Sequence, residues 1–286
     1  MKRDLKWHIS FEFYPPKTTE GIQHLLKVAD ELAAYAPQFF SVTFGAGGST
    51  REGTRDVVKF LQQRTPISVA PHLACVGVNR EDLLDILQQY RQLNINRIVA
   101  LRGDLPPGQV NVGEFKLARD LIHLIREVMP QCQIIVAAYP ECHPQANTLQ
   151  HDLDNLKRKY HAGATSAITQ YFFNVDAYFY FLEACHKQAI SLPIIPGIMP
   201  IVQLSKLMRF SELCGAEIPR WLRKRLEDYG DDVNSIRAFG LDLLTRVCDQ
   251  LLAAGAPGLH FYTLNHADLS KEILQRLNLM PLLQAV

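Results

Sequence analysis

The sequence predicts an α/β fold, a closed (β/α)8 barrel of the TIM type with extra helices between strands 7 and 8. Its 286 residues contain eight short apolar segments that alternate with helical segments, as parallel strands with helical crossovers do. Eight units in this length favour a closed barrel over an open doubly wound sheet, which would usually place a phosphate-binding loop after its first strand. No linker interrupts the alternation, so residues 1–286 are expected to form a single domain.

The first predicted strand, residues 8–17, carries a carboxylate between apolar side chains. Alternation places Ser10 and Glu12 on one face, and Phe11 and Phe13 on the other. The strand ends at two consecutive prolines, because proline has no N–H group to donate to a neighbouring strand. Burial of an unpaired carboxylate is costly and raises its pKa. Glu12 is therefore either a functional acid or one half of a structural ion pair with an arginine.

The later elements follow the same alternation. A threonine cap and an acidic first turn begin the first helix, and a glycine-rich loop leads from the second strand to the second helix. The other predicted strands cover residues 39–44, 67–73, 97–101, 133–138, 165–171, 192–196 and 258–262. The predicted helices, which have apolar residues at helical spacing, cover about residues 18–35, 52–64, 80–92, 114–128, 145–161, 175–188, 202–214, 219–229, 232–253 and 267–277.

Composition and charge argue against several classes of protein. The formal net charge is +1, so bulk charge suggests neither a nucleic-acid nor a membrane partner. The six cysteines form no C-x-x-C pair and no zinc-finger spacing, which favours reduced thiols and no metal site. The charged start precedes no apolar segment, so we expect no signal peptide, and the longest apolar stretch, residues 193–202, is too short to span a bilayer. We expect a soluble cytoplasmic protein.

The active site of a (β/α)8 barrel lies at the carboxyl ends of its strands. At that end of the first six strands, alternation predicts these inward-facing residues: Ser10, Glu12, Ser41, Thr43, Ala70, His72, Arg102, Asp104, Ala137, Tyr139 and Gln170. The same rule predicts these outward-facing residues: Phe40, Val42, Phe44, Val69, Val99, Leu101, Val136 and Ala138. Polar or aromatic groups from six strands at one rim predict an active-site pocket. The set has no nucleophile beside a base and no cluster of metal ligands, which disfavours acyl transfer and metal catalysis.

Two further segments each admit two interpretations. Arg102, Gly103 and Asp104 form either a local ion pair or a sharp turn at which the backbone approaches a flat ligand. A polar stripe on the fifth predicted helix contains Asp152, Asn155, Arg158 and Lys159. Such a stripe alone is typical of a solvated face. Tyr139 and His143 lie at the top of the preceding strand, however, and beside them the two cations would also suit a pyrophosphate.

Nine short motifs occur in order along the chain: Phe-Glu-Phe-Tyr-Pro-Pro-Lys at 11–17, Ser-Val-Thr-Phe-Gly-Ala at 41–46, Ala-Pro-His-Leu at 70–73, Ala-Leu-Arg-Gly-Asp-Leu-Pro-Pro at 100–107, Ala-Ala-Tyr-Pro-Glu at 137–141, Asn-Leu-Lys-Arg-Lys at 155–159, Ala-Ile-Thr-Gln-Tyr-Phe-Phe at 167–173, Pro-Gly-Ile-Met-Pro at 196–200 and Phe-Tyr-Thr-Leu-Asn at 261–265. Together they resemble the methylenetetrahydrofolate reductase family over nearly the whole chain. The resemblance is to the short bacterial form, which is a catalytic barrel without a regulatory domain.

This resemblance implies a (β/α)8 flavoprotein that binds FAD without a Rossmann domain. NAD(P)H would reduce the flavin and leave, and 5,10-methylenetetrahydrofolate would then enter the same site. The product would be 5-methyltetrahydrofolate, which supplies methyl groups for methionine synthesis. The short bacterial members suggest NADH as the reductant, although the sequence alone does not separate NADH from NADPH. A homo-oligomer is a reasonable expectation.

The resemblance also assigns roles to individual residues. Glu12 matches the general acid that protonates the leaving nitrogen of the folate, a role that requires a pKa raised by burial toward neutrality. Asp104 matches a second catalytic position, where its charge would make the reduced flavin a better hydride donor. The positions that match folate contacts are Glu12, Asp104 and Gln170. The positions that match FAD contacts are Thr43, Phe44, Ala46, His72, Arg102, Gly103, Asp104, Tyr139, His143, Asp152, Asn155, Arg158 and Lys159.

Two positions depart from the family's pattern, and two other functions stay open at this point. His266 stands where bacterial relatives often have arginine, and Leu204 stands where some relatives have an aromatic residue that stacks on the substrate. A non-catalytic flavin or folate carrier is one alternative, although a mere carrier gains nothing from a costly buried acid. A barrel aldolase is the other, but it would need a Schiff-base lysine, and the inward-facing set contains none.

Overall fold

Parallel strands form the centre of the molecule. A computed structural model of the protein describes residues 7–44, 51–104 and 113–279. Its strands are β1 His8–Phe13, β2 Phe39–Val42, β3 Val69–Ala74, β4 Arg97–Leu101, β5 Gln133–Ala138, β6 Ser166–Thr169, β7 Ile194–Ile195, β8 Gly197–Ile198 and β9 Gly258–Tyr262. Its helices are α1 Thr19–Ala33, α2 Arg51–Arg64, α3 Arg80–Gln92, α4 Ala118–Val128, α5 Leu149–His161, α6 Val175–Lys187, α7 Leu204–Cys214, α8 Arg220–Asp228, α9 Val233–Ala253 and α10 Asp268–Arg276.

The strands close into a barrel, which confirms the predicted fold class. Their order is β7-β6-β5-β4-β3-β2-β1-β9-β8, and all these pairs are parallel. β7 lies within the predicted seventh strand, and β8 follows that strand directly after Pro196. β7 pairs with β6, and β8 pairs with β9. Proline interrupts the strand because it has no N–H group, although the carbonyl of Pro196 still accepts from the N–H of His260 at 3.0 Å.

The helices fill the connections as predicted, and α7, α8 and α9 lie between β8 and β9. Two helices begin about four residues later than predicted. Before α4, Asp120 Oδ2 accepts hydrogen bonds from the backbone N–H groups of Lys116 and Leu117, which holds these residues outside the helix. Before α5, Thr148 Oγ1 accepts from the N–H of His151 and caps the first turn. These later starts carry the first turns of α4 and α5 to the carboxyl rim of the barrel.

The barrel interior is a separate apolar core, and it corrects one part of the predicted strand phases. The buried residues of this inner core are Phe39, Ala70, Val99, Ile135, Ile168 and Ile195. Leu101 packs against it, so Val99 and Leu101 face inward and not outward as predicted. Ile98 and Ala100 instead pack in the larger core between strands and helices. The prediction was wrong because β4 is apolar on both faces, and a continuous apolar run carries no alternation from which to read the phase.

The six cysteines are all unpaired thiols. Within the described ranges, no helix is long and apolar enough to cross a membrane.

Candidate active site

Glu12 lies at the carboxyl rim of the barrel and faces two histidines from neighbouring strands. Its Oε2 atom is 3.3 Å from His72 Nε2 on β3 and 3.5 Å from His260 Nε2 on β9. The hydroxyl of Ser41 on β2 donates to the same oxygen at 3.4 Å. The Glu12 side chain is 16% exposed, so the carboxylate is largely withdrawn from water yet reachable from the rim. The inward phases predicted for Glu12, Ser41 and His72 are therefore confirmed.

His260 completes this group and was missed by the sequence analysis. Its side chain is fully buried and stacks on Phe39 with ring centroids 6.0 Å apart. Its Nδ1 atom lies 2.8 Å from Ser10 Oγ. Because a carboxylate only accepts, Nε2 is assigned as the donor to Glu12, and Nδ1 of a neutral ring then accepts from Ser10. The same alternation rule, applied to the last strand, would have placed His260 in the inward phase.

The two imidazoles change the protonation of Glu12. Burial raises the pKa of this carboxyl, but the positive field of His72 and the close contacts with the His260 and His72 imidazoles lower it more, to about 2. The sequence predicts a pKa raised by burial alone, and that prediction is wrong in this setting. The lowered pKa is caused by the pair of histidines, one of which lies on the last strand and is distant from Glu12 only in sequence. Glu12 is thus ionised at neutral pH in the structure.

A pocket of about 530 Å³ opens above Glu12, and we call it the Glu12 pocket. Its other polar residues are Tyr14, Thr43, Lys206, Tyr262, Thr263 and His266. Its apolar lining includes Phe13, Met199, Pro200, Val202, Phe210, Leu264 and Leu269. The hydroxyl of Thr43 is buried and has no hydrogen-bond partner within the described part of the chain. An apolar cleft with a few convergent polar groups is typical of a small-molecule site.

A second pocket of about 300 Å³, the cationic pocket, lies beyond the ends of β4 and β5. Seven of the predicted FAD-contact residues line it: Arg102, Tyr139, His143, Asp152, Asn155, Arg158 and Lys159. It also contains Arg119, Gln145 and His151, which the sequence analysis did not single out. Nothing in their local sequence marks these three, because their place at the rim depends on where α4 and α5 begin.

Hydrogen bonds hold the polar stripe of α5 against the strand ends. The carboxylate of Asp152 accepts from the N–H of His143 at 2.9 Å, and Lys159 Nζ donates to the carbonyl of Ala137 at 2.6 Å. Burial lowers the pKa of Lys159 to about 8, although the nearby Asp152 opposes that shift. Asp152 and Lys159 are therefore a built part of the rim, whereas Arg158 of the same stripe is exposed.

Arg102 and Gly103 form a turn at the end of β4. The Arg102 guanidinium donates to the carbonyl of Gly103 at 3.1 Å and to Gln145 Oε1 at 2.7 Å. Gly103 has φ +81°, and a Cβ there would lie 2.8 Å from Ala74 Cβ, so the turn needs glycine. Asp104 is exposed at the same rim. Burial, Asp152 and Asp104 together raise the pKa of Tyr139 to about 12.

Two predicted residues line other cavities, and a third is not among the described residues. Phe44 lines a separate cleft of about 220 Å³ with Arg55 and Tyr90. Gln170 Oε1 accepts from the N–H of Tyr171 at 3.0 Å, and its side chain lies in a small neighbouring cavity. Ala46 lies outside the described residues. Among the residues that the structure does describe, no group of three or more histidine, cysteine or acidic side chains could hold a metal ion.

Comparison with known proteins gives consistent matches to one family. The sequence model for methylenetetrahydrofolate reductase matches residues 2–278. The 5,10-methylenetetrahydrofolate reductase of Salmonella typhimurium is 40% identical over 274 residues, which is 96% of this chain and 92% of that protein. The enzyme of the same name from Escherichia coli is 39% identical with the same coverage. Methylenetetrahydrofolate reductase (NADH) 1 of Arabidopsis thaliana is 37% identical over 285 residues, but the match spans 48% of that longer protein.

Solved structures agree at the level of the fold. A Clostridium thermocellum protein that binds two copies of 5-methyl-5,6,7,8-tetrahydrofolic acid superposes with a TM-score of 0.64 at 17% identity, covering 96% of this chain and 93% of that one. A dihydropteroate synthase from Coxiella burnetii in complex with pteroic acid gives a TM-score of 0.53 at 11% identity, covering 94% and 91%. At such low identities these likenesses show the barrel fold alone.

Proposed function

Because this chain belongs to the methylenetetrahydrofolate reductase family, we propose that it reduces 5,10-methylenetetrahydrofolate to 5-methyltetrahydrofolate by a ping-pong reaction with bound FAD and NAD(P)H. The observation that carries this proposal is that the Glu12 pocket and the cationic pocket lie at the same rim of the barrel. Glu12 on β1 and Thr43, directly after β2, line the first, and residues beyond the ends of β4 and β5 line the second. β3, which carries His72, lies between these strand pairs in the barrel.

The residues of the cationic pocket fit the phosphate-bearing part of FAD. Arg102, Arg158 and Lys159 supply positive charge, and Asp152 fixes the loop at His143. Burial lowers the pKa of Lys159 because a charged ammonium group is costly to bury. A phosphate nearby would offset that cost. The unpartnered hydroxyl of Thr43 offers a further donor toward the Glu12 pocket. Bound FAD would supply the hydride carrier between NAD(P)H and the folate.

Glu12 is proposed as the group that delivers a proton to the leaving nitrogen of the folate. The methylene group bridges two nitrogens, and opening that ring requires a proton on one of them. Because the Glu12 carboxyl is ionised at neutral pH, a proton taken up here is shared with His72 and His260. Substrate that fills the apolar pocket excludes water from this group and favours its neutral, proton-loaded form.

The remaining contacts and properties complete the proposal. Asp104 is proposed to act at the rim as a second catalytic group, and Gln170 to contact the folate. NADH is the proposed reductant, in keeping with the short bacterial members, and the product would serve methionine synthesis. We also propose one catalytic domain, a cytoplasmic location and a homo-oligomer. A non-catalytic flavin or folate carrier is the competing function, whereas the family membership leaves no support for an aldolase.

One anaerobic experiment separates these functions. The purified protein should be yellow, should lose its colour on addition of NADH, and should regain it on addition of 5,10-methylenetetrahydrofolate. A protein that is bleached but not reoxidised by the folate would be a carrier that accepts hydride without passing it on. A colourless protein that binds no added FAD would contradict the cofactor proposal itself.

A further inference from the structure

The cationic pocket contains two ionisable side chains for which the family resemblance gives no role. Arg119 lies in the first turn of α4, and His151 lies in the first turn of α5. Both line the same pocket as Arg102, Arg158 and Lys159. Four cationic side chains therefore line the pocket, one from the end of β4 and three from α4 and α5, and His151 lies beside them.

The arginines and lysine already assigned to this pocket are held by nearby oxygens. Arg102 donates to Gln145 Oε1, and Lys159 donates to the carbonyl of Ala137. Arg158 Nη1 donates to Asn155 Oδ1 at 2.9 Å. These bonds fix the positions of three positive charges before any ligand arrives, which is the arrangement that a preorganised anion site needs.

Arg119 is held much more weakly. Its Nε atom is 3.5 Å from Asp120 Oδ1, and the two side chains are 44% and 32% exposed, so this ion pair contributes little. The other oxygen of Asp120 is engaged by two backbone N–H groups at the start of α4. The Asp120 carboxylate therefore serves mainly as a cap, and the Arg119 guanidinium can turn toward the pocket that it lines.

The charge balance of the pocket calls for a ligand with more than one negative charge. Its lining has four cations, and the carboxylate of Asp152, its acidic member, is bound to the N–H of His143. A diphosphate carries two charges and presents several oxygens to which a planar guanidinium can donate two parallel bonds. A neutral or singly charged ligand would leave excess positive charge in a half-buried pocket.

We propose that Arg119 binds the diphosphate of FAD and that His151 contacts the same phosphate-bearing half of the cofactor. This inference rests on the proposed FAD dependence. It assigns to α4 a direct part in holding the cofactor, in addition to the strand ends and α5. The affinity for FAD should consequently depend on a side chain that does not touch the reacting atoms.

The test is a titration of the apo-protein with FAD, followed by flavin fluorescence at low and at physiological ionic strength. Arg119→Ala should weaken FAD binding about tenfold and should reduce the salt dependence of the dissociation constant. His151→Ala should weaken it by a smaller factor, and Arg119→Lys should recover part of the loss. Arg223→Ala, which removes an exposed arginine paired with Glu227 on α8, is the matched control and should bind like the wild type.

The unfolding temperature of each apo-protein should stay unchanged, because Arg119 and His151 are not part of the core. Equal FAD affinity in Arg119→Ala and wild type would overturn the proposal. The proposal would also be overturned if Arg119→Ala lost the same affinity at both ionic strengths and Arg119→Lys lost as much as Arg119→Ala. A phosphate contact requires a positive charge, so its loss should depend on salt and should be partly restored by lysine. A wild-type protein that binds no FAD would instead refute the cofactor assignment on which the inference rests.

Discussion

Glu12 and His260 come from the first and the last strand of the barrel, and their Oε2 and Nε2 atoms lie 3.5 Å apart. The pairing of β1 with β9 sets this distance, because its register aligns Ser10 with His260 and Glu12 with Tyr262. Ser10 then holds the far side of the imidazole at 2.8 Å. The same strand pairing therefore closes the barrel and brings His260 to Glu12.

Glu12→Gln should separate the two half-reactions. The glutamine fills the same space but has no proton to deliver, so folate reduction should fall at least about 100-fold. FAD binding and flavin reduction by NADH should be unchanged, and anaerobic stopped-flow absorbance measures both steps. Glu20→Gln, the same change in the exposed first turn of α1, is the control. Folate reduction within about threefold of wild type would rule out an acid role, whereas a variant that does not fold would support the structural interpretation of this carboxylate.

The same Glu12 variant should reveal the lowered pKa through stability. A carboxyl whose pKa falls from 4.5 when unfolded to about 2 when folded stabilises the protein fully above pH 4.5. That contribution is about 3 kcal/mol at most, and it disappears as the pH falls through about 2. Urea unfolding at several pH values should therefore show that the difference in the free energy of unfolding between wild type and Glu12→Gln becomes smaller below pH 4.5. If that difference instead becomes larger in acid, the pKa of Glu12 is raised in the folded protein.

His260→Gln should shift the pH dependence of folate reduction. His260 lowers the pKa of Glu12, so its removal should raise that pKa and move the alkaline limb of the rate profile, on which a general acid loses its proton, to higher pH. The folate half-reaction should slow by roughly tenfold while flavin reduction by NADH is kept. Ser10→Ala removes only the contact at Nδ1 and should give a smaller shift in the same direction. Equal losses in both half-reactions, without a shift of the profile, would indicate mere damage to the fold.

Lys159 should make FAD binding sensitive to alkaline pH. Its pKa is about 8 in the structure, so it carries its charge below that value and loses it above. The wild-type dissociation constant for FAD should rise as the pH passes about 8, whereas Lys159→Gln should bind about tenfold more weakly at neutral pH and show a flatter profile. Lys157→Gln, on the same helix but outside the pocket lining, should behave like the wild type. A pH profile identical in wild type and Lys159→Gln would contradict this role.

Gly103→Ala should destabilise the turn that positions Arg102. The new Cβ would meet Ala74 Cβ at 2.8 Å in a backbone conformation of φ +81°. We expect a loss of about 2 kcal/mol in the free energy of unfolding, together with weaker FAD binding. Gly255→Ala has a similar φ of +94°, but no atom of the described residues lies within 4 Å of the added Cβ, and it should cost less and leave FAD binding intact. Equal effects in the two variants would mean that the contact with Ala74 is unimportant.

The alternation of polar and apolar residues was sufficient to predict most of the barrel and the residues around Glu12 other than His260. It placed Glu12, Ser41 and His72 on one face because each of their strands has a polar residue in phase. It failed on β4, where all positions from Ile98 to Leu101 are apolar. There the facing is decided by the register with β3, which aligns His72 with Val99, and no local pattern records that register.

The properties that depend on distant partners could not be predicted. The pKa of Glu12 depends on His260, which is 248 positions away along the chain. Likewise, Arg119 and His151 reach the cationic pocket because caps at Asp120 and Thr148 fix where two helices begin. Sequence patterns identify a residue's own strand or helix, whereas these effects arise from where separate elements meet.

The pairing of β1 with β9 also has a consequence for the making of the protein. The strand that carries Glu12 is synthesised 248 positions before its partner His260. Until β9 is made, the carboxylate has no imidazole from β9, and the β1 edge of the growing sheet lacks that partner strand. Nascent or C-terminally truncated chains that end before residue 258 should therefore be inactive and prone to aggregation. A chain that lacks β9 has neither the closed barrel nor the contact between Glu12 and His260.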